Sequence, residues 1–230
     1  ARNHEEPWRA AVYLMREKVL LSLHRPELGQ GYAQPSEMES DLSVLASSLE
    51  EIGASALVRD YVSPLQRQLR TFGFHLASLD VRQNSAFHEQ ALDQLLKAAG
   101  VLTAGSFAEL SPSDKRALLD RELQSPRPFL SDASAAGPEA EAVLSCYRVL
   151  AEHRRRFGEA GLGSLIVSMT RSTEDLLVVY LLAREAGLAE WTDAGLRCPL
   201  PVTPLFETMA DLEAGPAIVD SFLAHPVTRR

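Results

Sequence analysis

Apolar positions recur at helical spacing over most of the chain. Trp8, Val12, Met15 and Val19 fall on one helical face, and so do Leu42, Leu45, Leu49 and Ile52. The second group is bracketed by a capping pair, Ser36 with Glu39, and by Gly53 as a stop. From 56 to 72 the repeat of Leu57, Tyr61, Leu65 and Leu69 predicts another helix, which Pro64 should kink or split because it lacks an amide donor. Further helices are expected from about 85 to 99, from Ser111 with Pro112 and Asp114 as a start signal, and from Pro138 to near Gly158. The Pro, Ser, Ala and Gly mix between 125 and 137 reads as a surface loop.

Three short stretches break the helical period: 73–82, 164–170 and 200–206. Each is mostly apolar and is followed by a helical pattern, which Ser172 and Asp175 cap after the second. Strand followed by helix, with apolar strands, points to parallel strands covered by helices. The expected fold is mainly α with a few parallel β-strands, the helices of 1–72 leading into the first strand.

In the first stretch, "GFHLASLDVRQNS", period two puts Phe74, Leu76, Ser78, Asp80 and Arg82 on one face, so that face turns from apolar to charged toward its end. The third stretch runs in the same way through Leu205 and Phe206 into Glu207. In parallel α/β barrels substrates and metals sit at the C-terminal ends of strands, where the βα loops converge. Arg82 is a planar cation suited to phosphate or carboxylate, and Glu207 is a hard oxygen donor suited to magnesium or manganese. The residues alone leave a second reading open, in which Asp80 simply pairs with Arg82 and Glu207 caps the following helix.

Other polar groups carry less. The His153 to Arg156 run ends a helix, where the dipole favours cations. Gly161 and Gly163 precede a strand, which removes a dinucleotide-binding reading. His75 falls on the strand face opposite Arg82 and reads as a packing residue, as does His88. Ser168 and Thr170 end the second strand with no His/Asp partner at a spacing that would make a nucleophile.

A net charge of -8 argues against a nucleic-acid partner. The 230 residues, 46% hydrophobic, can bury a substantial core. No apolar run reaches the roughly 18–20 residues of a membrane span, and "ARNHEEPWRA" lacks the order of a signal peptide. Cys146 and Cys198 lack any spacing suited to zinc or a disulfide framework. A soluble, cytoplasmic chain is expected.

Three blocks carry a family resemblance. "FGFHLASLDVRQNSAFHEQAL" resembles the phosphoenolpyruvate carboxylase stretch in which a strand ends in Leu-Asp-(Ile/Val)-Arg-Gln, followed by a Ser and a His. "PVTPLFETMADLEAGPAIV" is similar to that family's Pro-Leu-Phe-Glu-Thr-x-x-Asp-Leu block, and "LIVSMTRSTEDLLVVYLLAREAG" to its Ile-Ile-Ser-Met strand and helix. Asn84 stands where many relatives have an acidic residue.

The resemblance implies part of an α/β, TIM-like barrel surrounded by many helices, in a cytoplasmic enzyme that is usually a homotetramer. Such enzymes make oxaloacetate and phosphate from phosphoenolpyruvate and bicarbonate with Mg2+ or Mn2+, replenishing four-carbon acids. In the family's mechanism bicarbonate attacks the phosphoryl group, and released carbon dioxide is captured by the enolate of pyruvate. Arg82 is then a substrate-binding arginine and Glu207 a metal ligand. The family's Ala-His-Pro-Thr histidine, its Gly-Tyr-Ser-Asp-Ser metal carboxylate and its Gly-Arg-Gly-Gly loop do not occur in these residues. The whole of 1–230 is therefore expected to be one central fragment, with about three of eight barrel strands. It would contain no catalytic residue and be inactive by itself; the other reading is a non-catalytic helical binding or scaffold module.

Overall fold

The computed structural model describes residues 5–130 and 136–229, so residues 131–135 of the expected 125–137 loop lie outside the description. The chain forms two compact units, Ala1–Ala77 and Ser78–Arg230. Among the described residues no helix is long and apolar enough to cross a membrane.

The first unit is helical. It contains α1 (Pro7–His24), α2 (Pro35–Glu51), the single turn α3 (Ser55–Leu57), a π-helical turn at Val58–Val62, and α4 (Ser63–Phe72). Leu42, Leu45 and Leu49 of α2 are buried with Met15, Tyr32, Val58, Val62 and Leu69. Lys18 Nζ at 2.8 Å and the Tyr32 hydroxyl at 2.7 Å both donate to Asp41 Oδ2, which ties α1 and the Tyr32 turn to α2. Those two donors, Lys18 first, hold the Asp41 carboxyl below the usual range. Gly31 is needed here because a Cβ would lie 2.3 Å from Ser22 Oγ.

Several expectations for this unit are corrected. Pro35, not Ser36, opens α2; Gln34 precedes it without a side-chain cap, and Glu37 reaches back to the Ala33 amide at 2.8 Å. Proline fits the first helical position, where its missing amide costs nothing, so the Ser36–Glu39 pair lies inside the helix. The segment before Pro64 does split, through the π turn. That turn holds an extra residue and rotates the inward face: Leu57, Tyr61 and Leu65 are exposed, while Val58 and Val62 are buried. On α1 only Met15 is buried; Val12 and Val19 are exposed.

The second unit contains, in order, β1 (Leu79–Asn84), α5 (Ser85–Ala98), α6 (Pro112–Glu122), α7 (Pro138–Phe157), β2 (Leu162–Ser168) and α8 (Thr173–Glu185). A hairpin of β3 (Glu190–Thr192) and β4 (Gly195–Arg197), then β5 (Val202–Leu205) and α9 (Met209–Ala224), complete it. The three longer-range strands form one open parallel sheet in the order β1-β2-β5. No barrel closes among the described residues.

Its core follows from period. α8 is buried all round from Leu176 to Ala183, and α7 contributes Ala140, Val143, Leu144, Tyr147 and Leu150 from one face. Leu165 and Val167, two apart on β2, and Val202 on β5 present the helix-covered side of the sheet. Each fully buried leucine contributes roughly 1.5–3 kcal/mol, which is why α8, with Leu176, Leu177, Leu181 and Leu182, forms the centre of the unit. The expected caps hold: Ser111 Oγ accepts from the Asp114 amide, and Ser172 and Asp175 form a reciprocal capping box.

The first strand is corrected. Residues 73–78 are not extended: Gly73 ends α4 at φ 55°, Leu76 has φ 68°, and the Leu76 and Ala77 amides close tight turns onto Phe72 and His75. The strand begins only at Leu79 and runs two residues past Arg82, so the alternation of Phe74 through Ser78 does not exist and His75 lies in an exposed turn. The other strands begin and end within two residues of expectation, at Leu162–Ser168 and Val202–Leu205. The β3–β4 hairpin was not anticipated.

Candidate active-site rim

The sheet register decides what stands beside what. Val81 pairs with Leu165 and Leu165 with Val202 on the covered face; Arg82 pairs with Ile166 and Ile166 with Thr203 on the other. All three strands run parallel, so their C-terminal ends, at Asn84, Ser168 and Leu205, form one rim.

Asp80 does not pair with Arg82. Its Oδ1 accepts from the Ser164 amide at 2.7 Å, where the β1–β2 register shifts, and Gly163 lacks a side chain because a Cβ would meet that oxygen at 2.3 Å. Glu207 does not cap α9 either, since Thr208 Oγ1 accepts from the Asp211 amide. With Asp80 engaged at the opposite end of the strand, Arg82 turns to the rim. Arg82 Nη2 lies 2.7 Å from Glu207 Oε1, across 125 positions of sequence.

The second oxygen of Glu207 is held by main chain. Oε2 accepts from the Met169 amide at 2.9 Å, just past the end of β2. Met169 has φ 55°, one of only two non-glycine residues with positive φ among the described residues. Such a conformation costs about 1–3 kcal/mol and persists only where its surroundings hold it. The Met169 carbonyl accepts from Ser85 Oγ at 2.8 Å, and Ser85 is only 1% exposed at the start of α5. Asn84 caps α5 through the Ala86 amide at 2.8 Å. One continuous set of bonds thus joins the ends of β1, β2 and β5.

The rim is open to solvent: the Arg82 side chain is 55% exposed and that of Glu207 31%. Clefts of about 430 and 400 Å3 lie elsewhere, one beside Glu89, Asp93 and Glu139 and the other beside Arg148, Arg154 and Arg155. An open sheet supplies only one wall to the space beyond its strand ends.

The remaining candidates serve packing. Thr170 is fully buried and its hydroxyl donates to the Val167 carbonyl, while Ser168 is also buried. His88 is 2% exposed; its Nε2 lies 3.2 Å from the Tyr147 hydroxyl, its Nδ1 has no hydrogen-bond partner among the described residues, and burial lowers its pKa to about 4. The cations ending α7 are spent on Glu159, Glu190 and Glu152. No group of three or more His, Cys, Asp or Glu stands together among the described residues. Sequence reasoning missed Met169 altogether, because no local signal announces a left-handed methionine.

Comparison with known proteins adds a lineage. The family described as Phosphoenolpyruvate carboxylase matches residues 1–230. The phosphoenolpyruvate carboxylase of Rhodopseudomonas palustris (strain BisA53) is 37% identical over 227 residues, covering 95% of this chain and 24% of that protein. That of Mycobacterium avium (strain 104) is 34% identical over 235 residues, covering 98% and 25%. That of Caulobacter vibrioides is 37% identical over 198 residues, covering 86% and 22%. The chain spans about a quarter of the length of the curated relatives it matches.

Proposed function

From the premise that this chain belongs to the phosphoenolpyruvate carboxylase family, we propose that it supplies part of the active site of an enzyme that converts phosphoenolpyruvate and bicarbonate to oxaloacetate and phosphate. The observation that carries this reading is the meeting of Arg82 and Glu207 at one strand-end rim.

Arg82 receives the phosphate. Its planar guanidinium offers paired donors to two phosphate oxygens, so the anion stays neutralised while charge redistributes in the transition state. Glu207 contributes one hard oxygen toward Mg2+ or Mn2+. The fit is that of one ligand in a set: the carboxylate is oriented by the Met169 amide, and a divalent ion of this kind binds through one or two carboxylates plus water and substrate oxygens. When bound, the ion supplies positive charge to an oxygen that gains negative charge during the reaction. With one such carboxylate and no base at the rim, the 230 residues alone are inactive on this reading. Its three strands belong to an eight-stranded barrel completed by polypeptide of the relatives' full length. On the family's pattern the assembly is a cytoplasmic homotetramer.

In the resting arrangement Arg82 and Glu207 neutralise each other. Binding exchanges that pair for two others, arginine with phosphate and carboxylate with metal, so no unpaired charge is left at any stage. The test is steady-state kinetics in a polypeptide carrying this chain at its relatives' full length. Glu207→Gln is expected to raise the Mg2+ concentration needed for half-maximal rate by about tenfold or more. An unchanged Mg2+ requirement would remove Glu207 from the metal.

A further inference from the structure

Three groups of the rim are linked in series: the Ser85 hydroxyl, the Met169 peptide and the Glu207 carboxylate. Ser85 Oγ donates to the Met169 carbonyl at 2.8 Å, and the Met169 amide donates to Glu207 Oε2 at 2.9 Å. Methionine gains nothing intrinsic from φ 55°, since its Cβ crowds the backbone there. The conformation must therefore be held from outside.

We infer that Ser85 is a positioning residue which, by anchoring the left-handed Met169 peptide, sets the direction of the Glu207 carboxylate toward a divalent cation. Ser85 suits the task because it is almost fully buried and begins α5, directly after the cap Asn84, so its hydroxyl is fixed by the β1–α5 corner. Its bond runs to the end of β2, and the Met169 amide then runs to the end of β5. Loss of the hydroxyl would remove this donor from the half-buried Met169 carbonyl and free the backbone there to relax toward negative φ, which turns the amide away from Glu207. This rests on the reading of Glu207 as a metal ligand.

The test is Mn2+ binding, read from the electron paramagnetic resonance signal of free Mn2+, in a polypeptide carrying this chain at its relatives' full length. Ser85→Ala is expected to raise the Mn2+ dissociation constant about fivefold, the effect of one net hydrogen bond. Met169→Gly provides the second variant: glycine adopts positive φ without strain. In that background Ser85→Ala is expected to change the constant by about twofold at most. A purely structural Ser85 would lower the number of Mn2+ sites through misfolding and leave the dissociation constant of the rest unchanged; that result overturns the inference. Glu207→Gln separates the two layers. Weakened binding there with no effect of Ser85→Ala removes the relay alone, whereas unchanged binding in Glu207→Gln removes both the ligand and its positioning.

Discussion

Arg82 Nη2 and Glu207 Oε1 stand 2.7 Å apart, one past the middle of β1 and the other two residues beyond the end of β5, with β2 between the two strands. An ion pair bridging the middle strand at its C-terminal end joins a cation and a carboxylate 125 positions apart in sequence. Its stabilising value is small because both side chains are open to water, about 0–1 kcal/mol.

That small value yields the first prediction. Arg82→Ala should lower the stability of the 230-residue chain by about 1 kcal/mol at most. In the full-length context it should tighten Mn2+ binding in the absence of substrate, since Glu207 is no longer neutralised, while weakening use of the phosphate substrate. Urea denaturation and Mn2+ titration check the two halves; looser Mn2+ binding in Arg82→Ala would contradict the exchange of pairs.

A second prediction concerns pH. Burial depresses the His88 pKa from 6.5 to about 4, so the folded state binds a proton less readily than the unfolded chain. The stability tied to neutral His88 is present above pH 6.5 and is lost as pH falls toward 4, up to about 3 kcal/mol. His88→Gln keeps a polar partner for the Tyr147 hydroxyl without titrating. The difference in urea midpoint between the two proteins should shift in favour of the variant between pH 7 and pH 4.5; a constant difference would show that the folded and unfolded states bind the His88 proton equally.

The Arg184–Glu185 pair supplies the contrast to Arg82. Its side chains are 4% and 0% exposed, Arg184 Nη1 donates to the Glu122 and Ser125 carbonyls, and the guanidinium lies over the Phe129 ring. The Phe129 amide donates to Glu185. Arg184→Ala leaves a buried carboxylate without its cation and should cost about 3–5 kcal/mol. Hydrogen exchange at α8 amides should speed up by about a hundredfold or more; an effect as small as that of Arg82→Ala would refute the pair's role as a clamp.

The contrast between local and distant information explains what could be seen in the residues alone. The caps at Ser111 and Ser172 were legible because each is made by a side chain and an amide three positions apart. The existence of α7 was legible from Pro138 at its start and Gly158 at its stop. β1 was expected to start six residues too early because apolar Phe74 and Leu76 alternate like a strand, whereas the turn is set by Gly73 and by a positive φ at Leu76 that no composition announces. The inward face before α4 moved because a π turn inserts a residue. At the rim, Arg82 and Glu207 could be chosen as residue types at strand ends, but their contact depends on the order β1-β2-β5, and the Met169 peptide that orients Glu207 depends on three elements at once.

The most direct measurement is the effect of bound Mn2+ on the 31P relaxation of inorganic phosphate, in a polypeptide carrying this chain at its relatives' full length. If Arg82 receives the anion and Glu207 the cation at one rim, relaxation is strongly enhanced in the unmodified protein and falls away in both Arg82→Ala and Glu207→Gln. Enhancement that survives undiminished in both variants would place metal and phosphate elsewhere and contradict the account.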